Sequence, residues 1–249
     1  MNILDNIKND LKSIELKVLE LRIGLSYVGA LLENKNLGVA YTFLPSSHQC
    51  HLFDNLWPVR GEKVSELVDK IDLKEDIGSA ILLACANGYY NTASRTDLIK
   101  GDVLEILRLT KHDVVGIVGE FKPLIGPIKS KCKELYVFER KRCVQEKNLL
   151  PEEKAYEILN FCDVVIITAT SIINKSIDRL LNSVSSKAKE VVVLGPSTPL
   201  NPEYFKDTPV SLLCGVLVKD PYSVLEIISL GGGMRSFNRF VEKVSVRCR

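Results

Sequence analysis

Apolar residues recur every three to four positions from Ile3 through Leu4, Ile7, Leu11 and Ile14, the spacing of one buried helix face. The period then shortens. Residues 16–23 alternate Leu19, Leu21 and Ile23 against Glu20 and Arg22, and runs at 26–32 and 37–44 are strand-like. Glu33-Asn-Lys-Asn36 between the last two has the composition of a tight turn. These runs predict a small antiparallel meander. Residues 45–60, with two prolines and Trp57, show no period and read as a long surface loop. Helical spacing returns in Val64, Leu67, Val68 and Ile71, again in Ile77, Ala80, Ile81, Ala84 and Cys85, and residues 102–107 offer a third, short helix. Helix, meander and helices together predict an α+β unit over residues 1–110.

Beyond a boundary near 109–112 the pattern becomes alternating β and α. Residues 114–118, 135–138, 164–168, 191–194 and 212–218 are short apolar runs rich in β-branched residues, the first four each followed by a helix candidate or a turn. Continuous apolar runs of this length indicate strands buried on both faces, hence a parallel sheet flanked by helices. Residues 111–249 are therefore expected to form a Rossmann-like α/β domain, and the fold class is α/β.

Composition narrows the setting. The chain of 249 residues is 46% hydrophobic and 26% charged with a formal charge of +2, ordinary for a globular protein. Its basic residues are dispersed, which argues against nucleic acid as partner. No run of about 18 uncharged apolar residues exists, and the first residues lack a signal-peptide pattern, so the expectation is a cytoplasmic protein that does not enter membranes. The seven cysteines lack CxxC spacing, and several lie within apolar runs, as expected of buried reduced thiols. A bridge between Cys132 and Cys143 stays open as an alternative. A homodimer is expected only because two-fold assemblies are the commonest.

The chemistry-bearing residues gather at the ends of the predicted parallel strands. Gly116 and Gly119 sit in the first βα turn, Val114-Val-Gly-Ile-Val-Gly-Glu120-Phe121, where backbone can approach a ligand and the next helix start can meet an anion. They do not complete the GxGxxG fingerprint, and a ligand-free tight turn is the alternative. Glu139 ends the second strand 20 residues beyond Gly119, a place from which a carboxylate accepts ribose hydroxyls, or where it is simply solvated. Thr168, Thr170, Ser171 and Asn174 follow the third strand, as pocket lining or as a helix cap. Gly195-Pro-Ser197-Thr198-Pro-Leu-Asn-Pro202 follows the fourth, its prolines stiffening the loop. Gly231-Gly-Gly233 reads as a hinge or an anion contact. In open parallel sheets ligands bind at this rim, so the convergence of four loops predicts a pocket.

Within the 45–60 loop, His48-Gln-Cys50-His51 is the one grouping of soft metal ligands, suited to zinc, nickel or copper. Surface histidines beside a packed cysteine are the alternative. No Ser/His/Asp order and no P-loop is present.

Gly116-Ile-Val-Gly119-Glu-Phe, Leu135-Tyr-Val-Phe-Glu139-Arg, Asp163-Val-Val-Ile-Ile-Thr168-Ala-Thr-Ser-Ile-Ile-Asn174, Leu194-Gly-Pro-Ser-Thr-Pro-Leu200 and Gly231-Gly-Gly233 resemble the "putative heavy-metal chelation" family. Gly38-Val-Ala-Tyr-Thr42 and Ala84-Cys-Ala-Asn87 resemble that family's companion domain, of enolase N-terminal-like fold. The resemblance implies an α+β cap on a Rossmann-like domain, a site between them, a role in handling heavy metals, and residues 45–60 as a lid. Three functions remain in view. One is binding of a small ligand, a transition-metal ion or a metal chelate between the domains. The others are a nucleotide-cofactor enzyme using NAD or S-adenosylmethionine, and a noncatalytic interaction module.

Overall fold

The computed structural model describes residues 2–43, 56–140 and 149–248. The His48, Cys50 and His51 cluster, most of the 45–60 loop and Cys143 lie outside the described residues.

Helix α1 (Ile3–Leu11) starts at Asn2, whose side chain accepts the Asp5 N–H at 2.8 Å, and buries Ile3, Leu4, Ile7 and Leu11. Strands β1 (Val18–Ile23), β2 (Tyr27–Leu32) and β3 (Leu37–Tyr41) form the expected meander in the order β1-β2-β3. Lys35 takes the left-handed conformation of the β2–β3 turn, with φ 66°. Helices α2 (Val64–Lys70) and α3 (Asp76–Tyr90) follow. Every residue of α3 from Ile77 to Gly88 is buried, so it is a core helix without a solvent face.

Its closest approach to the meander is at Gly38. A Cβ there would stand 1.9 Å from the Ala84 carbonyl oxygen and 2.1 Å from the Gly88 nitrogen, so strand and helix touch backbone to backbone. On the other side of the meander, Tyr27, Leu31, Leu37 and Val39 pack on Val224, Leu225, Ile228 and Phe237. This two-sided cover explains why all of β2 is buried rather than alternating.

The second sheet is built from β4 (Ile99–Lys100), β5 (Val114–Val118), β6 (Glu134–Glu139), β7 (Leu150–Pro151), β8 (Val164–Thr168), β9 (Glu190–Leu194), β10 (Leu212–Val218) and β11 (Val241–Arg247). Helices α4 (Val103–Ile106), α5 (Lys122–Lys129), α6 (Ala155–Ile158), α7 (Thr170–Ile173), α8 (Ile177–Asn182), α9 (Pro221–Ser229) and α10 (Met234–Phe237) connect them. The order is β4-β11-β10-β9-β8-β5-β6-β7, with β10 through β7 parallel and β11 and β4 added antiparallel at one edge. From β5 the chain moves outward to β6 and β7, then returns to β8 on the other side of β5. The connections therefore diverge between β5 and β8, which opens a crevice above their C-terminal ends.

Gly231-Gly-Gly233 ends α9. The Gly231 and Gly232 N–H groups donate to the Ile228 and Ile227 carbonyls, both at 2.9 Å, and Gly231 has φ 77°. The Ser26 hydroxyl donates to the Gly231 carbonyl at 3.2 Å, tying this turn to the meander.

The stiff 195–202 loop is held by α3. The Asn91 side-chain oxygen accepts the Leu200 N–H at 2.9 Å, and its amide donates to the Thr198 carbonyl at 3.0 Å. One helical turn earlier, the Asn87 amide donates to Val39 O at 2.8 Å and Pro196 O at 3.4 Å. Three of these four bonds are buried, and each is made to a main-chain group by a side-chain amide. Removing one such amide strands donors and acceptors at roughly 1–3 kcal/mol per orphaned group. Asn91→Ala is thus expected to destabilise the protein by about 2–3 kcal/mol in urea unfolding, whereas truncation of exposed Asn182 costs well under about 1 kcal/mol.

Candidate functional site

The crevice above β5 and β8 is a cavity of about 450 Å³. Gly119, Glu120 and Phe121 from the β5–α5 turn line it, together with Glu139 from β6, Thr168 and Thr170 from β8 and α7, Asn174, and Gly195 and Ser197 from the loop after β9. Nine of the residues singled out in the sequence therefore meet at one place. Gly116 and Thr198 do not line it. Gly116 lies within β5, where a Cβ would stand 2.7 Å from Leu159 and 3.0 Å from the Cys162 sulfur, so it serves helix-to-sheet packing. Thr198 is fully buried, with its carbonyl on Asn91.

Local geometry fixes these side chains. Gly119 has φ 102°, and a Cβ on it would come within 2.9 Å of Thr168 Cβ. The turn thus combines a backbone state that side chains disfavour with close approach to β8. It directs the Glu120 N–H to Glu139 Oε2 at 2.7 Å, while Glu139 Oε1 accepts the Arg140 N–H at 2.8 Å. Glu139 therefore fastens the ends of β5 and β6 together. The Glu120 carboxylate pairs with Lys122 at 3.3 Å.

Arg140 bonds Glu152 at 3.1 Å, and its guanidinium carbon lies 5.8 Å from the centre of the Phe43 ring. The Thr168 and Thr170 hydroxyls are 3.0 Å apart. Asn174 Oδ1 accepts the Ser176 N–H at 3.0 Å, Ser171 bonds back to the Thr168 carbonyl at 2.6 Å, and the Ser197 hydroxyl accepts the Tyr41 N–H at 2.8 Å.

The wall that the sequence reading missed is aromatic. Tyr27 and Tyr41, cross-strand partners in the meander, meet edge to face at 5.7 Å, and Tyr41 meets Phe43 at 5.1 Å. Burial, with Tyr41 beside it, pushes the Tyr27 hydroxyl far above the usual phenol range, so it keeps its proton. The alternation Tyr41-Thr-Phe43 at the end of a strand was the available signal.

Soft metal donors are scarce here. Among the described residues no group of three or more His, Cys, Asp or Glu side chains is arranged to hold a metal ion. Cys85, Cys132, Cys162 and Cys214 are buried free thiols. The described side chains therefore do not fit a heavy-metal ion ligated by protein alone.

A family model described as "Putative heavy-metal chelation" matches residues 102–247, and a second model of the same description matches residues 5–90. The chain belongs to this family. An uncharacterised protein of Methanocaldococcus jannaschii is 27% identical over 208 residues, covering 78% of this chain and 76% of its own length. Two crystal structures of chelation-family proteins of unknown function share the fold. That from Pyrococcus horikoshii superposes with a TM-score of 0.84 at 25% identity, covering 98% of this chain and 99% of its own. That from Desulfitobacterium hafniense gives 0.80 at 25% identity, covering 98% of each chain. The mixed α/β architecture is thus the chelation family's own. No helix among the described residues is long and apolar enough to cross a membrane.

Two outcomes follow. Gly119→Ala is expected to cost about 1–3 kcal/mol of stability, measured by chemical denaturation, from the strained φ and the clash with Thr168. Burial pushes the Cys85, Cys162 and Cys214 thiols up to about 12. At pH 8 only about one in ten thousand of each is thiolate, so a native-state alkylation experiment read by peptide mass spectrometry should leave these three unmodified, and denaturant should release them.

Proposed function

We propose that this chelation-family protein binds a small organic ligand in the cleft between the aromatic wall and the ends of β5, β6, β8 and β9, and that a heavy metal reaches it as that ligand's complex. The carrying observation is a cleft of hydroxyls, carboxylates and aromatic rings in which the described residues supply no soft donor set. Carboxylate oxygens are hard donors, suited to completing the coordination of an ion already held by a chelator rather than to capturing a thiophilic ion unaided. Tyr27, Tyr41 and Phe43 offer faces and edges to an organic body, and the Thr168 and Thr170 pair offers hydroxyls to its polar groups. A volume of about 450 Å³ falls in the range of small-molecule sites.

The nucleotide-cofactor reading has less support. Both Glu139 oxygens already accept main-chain N–H groups, and the Glu120 carboxylate lies at the turn that would receive a pyrophosphate. A negative side chain there opposes an anion.

Calorimetry with neutral nickel iminodiacetate, which leaves coordination positions open, and with nickel chloride alone separates the possibilities in untagged protein. The expected result is saturable binding of the chelate, lost in Glu120→Gln and kept in His51→Ala. Stoichiometric binding of the bare ion, lost in Cys50→Ala or His51→Ala but indifferent to Glu120→Gln, would overturn the proposal and assign the metal to the 48–51 cluster.

A further inference from the structure

Phe121, Gly195 and Pro196 line a second cavity of about 480 Å³ as well as the first, so they form the wall between the two. The second lies over one face of the sheet. Lower on that face Val103 and Leu107 around α4 and Leu124 and Ile128 of α5 cover Val115, Val192 and Leu212. Higher up, toward β10 and β11, the helical cover stops. Leu194 of β9 and Cys214 and Val216 of β10 are left as an apolar floor, beside Ser245 of β11, whose hydroxyl bonds the Cys214 sulfur at 3.2 Å. The start of α5 stands on one side of the gap and α10, with Met234, on the other.

The rim is cationic where the first cleft is acidic. Lys243 is matched by Asp102 at 2.9 Å. Arg235 lines the cavity, is exposed, and has no carboxylate partner among the described residues. One guanidinium therefore stands uncompensated at the mouth of an apolar hollow. A concavity of about 480 Å³ is of the size that takes a small molecule, and the guanidinium fork matches a carboxylate in geometry and charge.

We propose that this second cavity is a separate binding site for a small molecule with an apolar body of about two fused rings and one carboxylate, the body on the β10 floor and the carboxylate on Arg235. It differs from the first cleft in its apolar sheet floor and in a guanidinium without a carboxylate partner among the described residues, since Arg140 of the first cleft is paired with Glu152. It stands independently of what the first cleft binds.

Naphthalene-2-carboxylate and its uncharged carboxamide are suitable probes, titrated into the full chain by calorimetry. The carboxylate should bind at one site per chain, and the carboxamide about tenfold more weakly, the loss expected for one charge-assisted contact. Arg235→Gln, an exposed change not expected to disturb folding, should bring the carboxylate down to the carboxamide's affinity. Ser245→Phe fills the floor and should abolish binding of both, with circular dichroism checking that the variant folds. If it does not fold, Met234→Trp at the rim supplies the same obstruction. Absence of saturable binding up to millimolar probe would overturn the proposal. Equal affinity for acid and amide, or indifference of binding to both the Arg235 and the cavity-filling variants, would do the same.

Discussion

Two asparagine side chains one turn apart, Asn87 on α3 and Asn91 at its C-terminal cap, hold the main chain of residues 196–200, which forms one rim of the cleft. A loop at the end of a parallel strand is ordinarily free at the surface. Here Asn91 satisfies both the Leu200 N–H and the Thr198 carbonyl, and Asn87 spans from β3 to Pro196. Because the same helix presses backbone to backbone on Gly38, the meander and the loop share one support. The aromatic wall and the rim that opposes it are thus set at a fixed separation by a single buried helix.

The acidic character of the cleft has a comparable origin. In a doubly wound sheet the first turn normally leaves its main-chain N–H groups open to an anion. In this protein Glu139 occupies the Glu120 N–H, and the Glu120 carboxylate, paired with Lys122, stands at the same turn. The turn that receives phosphate in other doubly wound sheets is here closed by a carboxylate of its own chain. Among the described residues, no group of three or more His, Cys, Asp or Glu side chains around the cleft is arranged to hold a metal ion.

Much of this was readable before any coordinates. Strands β5, β8 and β10 coincide with their apolar runs because a strand buried on both faces has no choice of residue. The convergence of Gly119, Glu139, Thr168 and Ser197 followed from a topological rule rather than from a motif. Local pattern failed where long-range partners decide the outcome. β4 and β7 are two residues each and exist only as additions to a neighbour. Gly116 resembled a ligand-approach glycine, yet its lack of a side chain is required by Leu159 and Cys162, more than 40 positions later in the chain. Ser197 and Glu139 line the cavity, but sequence offers no means of seeing that their oxygens are already engaged by Tyr41 and Glu120.

The complete enclosure of β2 bears on how any ligand is received. That strand is paired on both edges and covered on both faces, so its amides have no cheap route to solvent and should exchange only when the whole molecule opens. Tyr27, the part of the aromatic wall that this strand carries, is therefore fixed in place. The Tyr27 side of the cleft is thus a preformed surface, and a surface that needs no ordering keeps the entropic penalty of any association small.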